Sequence, residues 1–171
     1  MEFLHAVVWS GLLVKLGMGL AVFHAAHLAS YRWLKGRILR SRTWDLNICC
    51  GRTDGGGVNA DIRKHAEVPN FVEITDVTRL PFADRSFHQV LCSHTLEHVD
   101  DPRACYDELR RVGRHVTLVL PPLWDLFAAC NVLEHQWLFL TFRKRHATLP
   151  PYVRLPFARW IRERWGFLIR A

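Results

Sequence analysis

The chain has 171 residues, half of them hydrophobic, and a formal net charge of +7. That length suits one compact domain of ordinary size with a modest extra segment. The basic balance favours anionic partners such as phospholipid headgroups, phosphorylated substrates or nucleic acid, without choosing among them. The five cysteines, Cys49, Cys50, Cys92, Cys105 and Cys130, form no Cys-x-x-Cys pair. They argue against a disulfide framework and against a zinc site, so no metal is expected, and they fit a reducing compartment.

From Phe3 to Tyr31 the chain is almost continuously apolar or small, with Lys15 its only full charge. A helix of that length, rising ~1.5 Å per residue, crosses a hydrocarbon core of ~30 Å. Residues 1–31 are therefore read as a single transmembrane or membrane-anchoring helix. Arg32, Lys35, Arg37, Arg40 and Arg42 follow at once. By the positive-inside rule this basic linker, residues 32–43, and the domain beyond it face the cytoplasm. Met1-Glu2 lacks a lysine or arginine, which argues against a cleaved signal peptide. One helical face carries Gly11, Lys15 and Gly19. Small residues four apart let another helix approach closely, so this face suits an integral-membrane protein partner, and membrane lipid is the other expected partner. His24 and His27 are read as helix-contact residues rather than as ligands of a haem or pigment.

Residues 44–171 read as an α/β domain. Leu46–Cys50, Val58–Ile62, Phe71–Thr75, Phe87–Ser93 and His115–Leu120 are strand-like apolar runs, several ended by glycine or an acid. A helix fits from Pro102 to Val112, with Pro102 in its first turn and Asp100 or Asp101 as cap. Strands alternating with helices predict a mainly parallel sheet, whose ligands lie beyond the carboxyl ends of the strands. That rule gathers Gly51, Asp61, Asp76 and the Ser93-His94 turn around one site.

After Pro122 the chain is aromatic and basic. A knot at Phe142-Arg143-Lys144-Arg145-His146 precedes a basic amphipathic helix over Phe157–Trp165, stopped by Gly166. Phe167-Leu168-Ile169 reads as a last strand, and a seventh strand has no candidate.

Between Trp44 and Pro122 the chain resembles the class I S-adenosylmethionine-dependent methyltransferases, especially those of the methyltransferase type 11 kind. The resemblance rests on Cys50-Gly51, on Asp61, and on Asp76 followed by Leu80-Pro81-Phe82. It continues through Asp84-Arg85-Ser86-Phe87-His88, Ser93-His94-Thr95-Leu96-Glu97-His98 and Arg110-Arg111-Val112. It implies a Rossmann-like fold and S-adenosylmethionine as cofactor. The methionine end would lie at Cys50 and Gly51, the ribose at Asp61, and the adenine at Asp76 and Val77, with Ser93 alongside. His94, Glu97 and His98 are then candidates for catalysis, and His135 and Arg143 for the acceptor. Two departures stand out. Only ten positions separate Gly51 from Asp61, too few for a crossover helix. Asp61 to Phe71 likewise leaves no room for a full second helix. The expectation is an abbreviated Rossmann-like parallel sheet behind a single transmembrane helix. Its function is that of a membrane-anchored methyltransferase acting on a hydrophobic or membrane-associated acceptor. The alternative is a catalytically inactive accessory subunit of a membrane complex. Nucleic acid is disfavoured as a partner because of the anchor.

Overall fold

The computed structural model describes residues 2–165. The last strand expected at Phe167-Leu168-Ile169, with its glycine stop, lies outside them. Helix α1 (Glu2–Leu28) runs without a break into a π-helical segment (Ala29–Leu34) and then α2 (Lys35–Leu39). No proline interrupts this stretch. The first part of the expected basic linker is thus helical. It is tied to the domain rather than loose: Ile38 and Leu39 pack on Trp44, Leu91 and Val119, and Trp44 Nε1 donates to the Leu39 carbonyl at 2.9 Å. The upper shaft stands clear of the domain. Leu13, Met18 and Val22 are each about two-thirds exposed, and among the described residues, the helix's own backbone aside, nothing lies within 4 Å of a Cβ placed at Gly11 or Gly19.

The sheet contains β1 (Trp44–Ile48), β2 (Gly56–Asp61), β3 (Phe71–Glu73), β4 (Phe87–Ser93), β5 (Gly113–Val119) and β7 (Arg145–His146), in spatial order β3-β2-β1-β4-β5-β7. The first five are parallel and β7 is antiparallel to β5. This is a doubly wound order with its switch point between β1 and β4, where a ligand crevice forms. Alternation along the strands builds two faces. Val90, Cys92, Val116 and Leu118 bury against Cys105, Leu109 and Val112 of α3 (Pro102–Val112). Leu91 and Val119 point the other way, toward Ile38 and Leu39. Asp101 caps α3, accepting from the amides of Arg103 and Ala104 at 2.9 and 3.0 Å. A second, two-stranded antiparallel sheet pairs β6 (Trp137–Phe139) with β8 (Tyr152–Arg154). Between β5 and β6 lies the short α4 (Leu126–Ala129), and α5 (Ala158–Trp165) follows β8.

Only β4 and β5 are joined by a crossover helix. Seven residues, 49–55, link β1 to β2. At ~3.3 Å per extended residue they span ~23 Å, enough to retrace a five-residue strand of ~17 Å but not to coil. The loop is pinned over the sheet face where a helix usually sits. Asn47 donates to the Thr53 carbonyl and to Asn59 Oδ1, which also takes the Gly55 amide at 2.9 Å. A Cβ at Gly57 would meet the carbonyl oxygens of Trp44 and Asp45 at 2.5 Å, so this close return requires glycine. Another turn without a helix, 74–86, is held by Arg111. Its guanidinium donates to the carbonyls of Leu80 and Phe82 and pairs with Asp84 and Glu108. The Leu-Pro-Phe run and the arginine before β5 thus form one latch.

Several strands depart from their expected bounds: β2 and β5 start earlier, at Gly56 and Gly113, and β3 ends at Glu73 rather than Thr75. The first strand ends at Ile48 rather than Cys50, because Cys49 takes a left-handed conformation at φ +50°. The basic knot at Phe142–His146 is not simply a solvated face: it contains the antiparallel edge strand β7.

Candidate active site

The carboxyl ends of β1, β2 and β4 meet at the switch point. On one bank Gly51, at φ +56°, leaves open space where a side chain would stand. Asp61 is buried beside it. One carboxylate oxygen accepts from the Gly51 amide at 2.8 Å and the other from the Ile62 amide at 2.8 Å. A carboxylate has about four acceptor positions, so two remain for hydroxyls. Asp76 is exposed and accepts from the Thr78 amide and hydroxyl at 2.7 Å, which hold its carboxyl below the usual range. The Val77 side chain belongs to the core, leaving only its backbone for a ligand. Cys50 is buried, and burial followed by the Asp61 charge pushes its thiol up to about 11. All five cysteines are free thiols.

The other bank starts where β4 ends. Ser93 has a buried hydroxyl without a hydrogen-bond partner. His94 follows at φ +55°, a conformation that costs a non-glycine residue on the order of 1 kcal/mol and recurs at functional sites. Its Nδ1 lies 3.0 Å from Glu97 Oε1, and its Nε2 lies 2.8 Å from Lys144 Nζ. An ammonium only donates, so Nε2 is the acceptor and Nδ1 carries the hydrogen. Glu97 is fully buried. Burial alone would raise its acid, but the His94 imidazole and the nearby His98 and His135 outweigh that and hold it down at about 2. Burial lowers His94, and it takes His135 down to about 4. The dominant picture is an ionised Glu97 beside neutral His94 and His135.

His135 reaches this cluster because its segment is laced onto the turn after β4. The Gln136 amide donates to the Glu97 carbonyl at 2.7 Å. Gln136 Nε2 donates to the His98 carbonyl and to Asp100, and Trp137 Nε1 donates to the Val99 carbonyl. The rings of His98 and His135 then meet edge to face, 4.7 Å between centroids.

Of the predicted residues, His94, Glu97, His98 and His135 come together on one bank, and Cys50, Gly51 and Asp61 on the other. Arg143 does not join them: it is exposed, and its neighbour Lys144 turns inward instead. Burial lowers Lys144 to about 8, against the opposing pull of Asp125 and Glu97. Lys144 Nζ also donates to Ser30 in the π-helical segment at 3.1 Å. Nearby, Asp125 accepts from His27 Nδ1 at 3.0 Å, and Tyr31 meets His94 edge to face. Lys144, Asp125 and Ser30 went unread as site residues, while His27, expected as a helix-contact residue, meets Asp125. Lys144 sat in a basic knot, and Ser30 in an apolar span. Clefts also lie elsewhere. One of about 340 Å³, lined by Arg42, Gln89, Arg110, Arg114, His115 and Arg145, opens at the amino ends of β4 and β5, away from this chemistry.

Residues 54–118 match the family model described as "Methyltransferase domain". This stretch is similar to the methyltransferase domain of class I S-adenosylmethionine-dependent enzymes. The match covers Asp61, Asp76, the latch and the whole His94–His98 turn. The match supports S-adenosylmethionine as the cofactor. The left-handed Gly51 with open space before it and the buried Asp61 with acceptor capacity to spare fit that cofactor. Similar solved structures include the YcgJ protein from Bacillus subtilis, at 21% identity over 58% of this chain and 59% of that one, TM-score 0.41. An S-adenosylmethionine-dependent methyltransferase from Thermotoga maritima, described as a possible histamine N-methyltransferase, is 16% identical over 67% and 63%, TM-score 0.40. A Pyrococcus horikoshii protein is 16% identical over 82% and 80%, TM-score 0.44. The chain thus spans under two-thirds of the first two proteins' lengths. No curated protein matches it.

Proposed function

We propose that this methyltransferase domain is membrane-anchored, on the cytoplasmic face, and methylates a hydrophobic or membrane-associated acceptor. The observation that carries the reading is the direction of the anchor. Its lower end packs at the amino edge, where Arg42 donates to Gln89. Ser30, Tyr31 and His27 reach Lys144, His94 and Asp125 at the carboxyl edge, and α1 projects from there. The apolar shaft therefore leaves on the side of the reaction site. Residues 3–26 would measure ~36 Å as a helix, more than a ~30 Å hydrocarbon core. Leu126 and Phe127 beside it are half-exposed, with Phe127 edge-on to Phe23. A bilayer around α1 would thus lie against the mouth of the crevice. Arg32, Lys35, Arg37, Arg40 and Arg42 support the cytoplasmic orientation.

S-adenosylmethionine, when bound, supplies an electrophilic sulfonium methyl. Gly51 and Asp61 would hold it at the methionine end and the ribose, with Asp76 and the Val77 backbone toward the adenine. Displacement at such a methyl depends chiefly on alignment and on excluding water. His94, held by Glu97, and Lys144, bonded to its Nε2, are the pair placed to take an acceptor proton once the Nε2–Nζ contact parts.

The test uses the full chain in lipid nanodiscs with labelled S-adenosylmethionine. Label should pass into lipid-soluble material from native membranes. Absence of S-adenosylmethionine binding by a folded sample overturns the enzyme reading. A specific observation favours the inactive accessory subunit in that event: the β1–β2 loop has no helix to aim its amides at a cofactor, while the Gly11/Lys15/Gly19 face is open to a partner helix.

A further inference from the structure

We propose that Glu97, His98 and His135 bind one divalent first-row transition-metal ion, zinc by the character of the donors. One ligand atom from each residue lies within 4.8 Å of the others. A tetrahedral site with metal–nitrogen bonds of ~2.0–2.1 Å sets ligand atoms ~3.3 Å apart, so side-chain shifts of roughly 1 Å close the set. Two imidazoles and one carboxylate are a donor set suited to zinc and its neighbours, rather than to magnesium or calcium, which take oxygen ligands.

Three further observations point to a cation at this cluster. Glu97 is fully buried, and neither carboxylate oxygen receives a hydrogen bond of good geometry; His94 Nδ1 lies 3.0 Å from Oε1 without such geometry. His135 is buried and its Nδ1 has no hydrogen-bond partner. Buried polar atoms left unsatisfied are rare and costly, and here they fall on two of three converging ligands. His98 Nδ1 lies 3.0 Å from the Glu134 carbonyl. A carbonyl only accepts, so Nδ1 carries the hydrogen and the lone pair is on Nε2. A ring nitrogen bonded to a backbone carbonyl is how metal-binding histidines are commonly oriented. The lacing of Gln136 and Trp137 onto residues 97–99 supplies the rigidity, holding the two segments that carry the ligands together.

The cysteine pattern gave no hint of this site, because its ligands are histidines and a glutamate, 38 positions apart at most. Three protein ligands leave at least one coordination position for an outside oxygen or nitrogen donor.

The experiment uses the untagged full chain in nanodiscs, stripped with chelator and titrated with Zn²⁺ and, separately, Co²⁺. One equivalent of Zn²⁺ should bind at micromolar or tighter affinity, and Co²⁺ should give the visible absorption of a low-symmetry nitrogen- and oxygen-ligated ion. His135→Ala should weaken Zn²⁺ binding at least tenfold. Should that variant fail to fold, the wild-type Co²⁺ spectrum alone decides. Absence of stoichiometric binding, or a Co²⁺ spectrum of a hydrated ion, overturns the proposal and leaves a water-filled polar cluster. S-adenosylmethionine binding, followed separately, reports on the methyltransferase reading, so each can fail without the other.

Discussion

The two banks of the crevice are built differently. The first, around Gly51 and Asp61, is trimmed: a seven-residue loop stands in for a helix, and few side chains converge. The second, around His94 and Glu97, is crowded with buried polar groups from the strand end, the anchor, the turn around α4 and the edge strand. The cofactor bank gains its order from close backbone approach, the acceptor bank from side-chain networks. Substitutions should therefore damage the first through fold and affinity, and the second through rate.

The largest effect is expected at Gly57. A valine there would drive its Cβ into two backbone carbonyls that cannot move without parting β1 from β2. Overpacking against backbone costs about 3 kcal/mol or more. Gly57→Val should abolish soluble or nanodisc-stable expression, whereas a thermal shift of only a few degrees would show that the trimmed bank is more pliable than its contacts imply.

Next in size is His94→Ala, which should lower methyl transfer by roughly 100-fold, the usual scale for losing a proton-accepting group, with S-adenosylmethionine affinity unchanged. A parallel loss of cofactor affinity would mean that the two banks are not separable.

Asp61→Ala reverses that pattern. Removing a buried carboxylate that accepts charge-assisted hydrogen bonds costs roughly 10- to 100-fold in S-adenosylmethionine affinity, read by calorimetry. It also frees the Gly51 amide. Asp76→Ala should cost less, roughly three- to tenfold, because Asp76 is exposed. Equal effects at the two acids would remove the assigned ribose and adenine ends.

The same contrast decided how much could be read from sequence. Strand β4 and α3 were legible to the residue, because Phe87–Ser93 alternates cleanly and Pro102 and Asp101 mark the helix start. Asp61 and the Ser93-His94 turn were expected at strand ends and lie there, whereas Glu97 was named from the resemblance alone. What escaped was created by tertiary contact. Lys144 resembled its exposed neighbours until the edge strand turned it inward. Ser30 resembled any small residue in an apolar helix until the π-helical segment met the domain. The extension of the anchor helix to Leu39 was hidden by its arginines, whose charges mask an inner face formed by Ile38 and Leu39.

The smallest effect is a pH dependence of stability, and it belongs to Lys144. Burial favours its neutral form and lowers it from 10.5 to about 8. His94 contacts it, Asp125 and Glu97 attract its charge, Lys35 repels it, and Ser30 accepts from it. Between about pH 8 and pH 10.5 the unfolded chain holds a proton at this position that the folded chain has released. The unfolded state then binds more protons, so stability rises with pH across that window. Below about pH 8 both states carry the charge, and the full cost of burying it is present. The melting temperature should therefore gain a few degrees from this group between pH 8 and pH 10, and Lys144→Met should flatten that gain. The same substitution removes the donor to Ser30, so it should also loosen the anchor from the domain, seen as faster amide exchange at residues 29–34. A wild-type melting profile identical to that of Lys144→Met across this window would mean that the ammonium reaches solvent, and that the second bank is wetter than its geometry suggests.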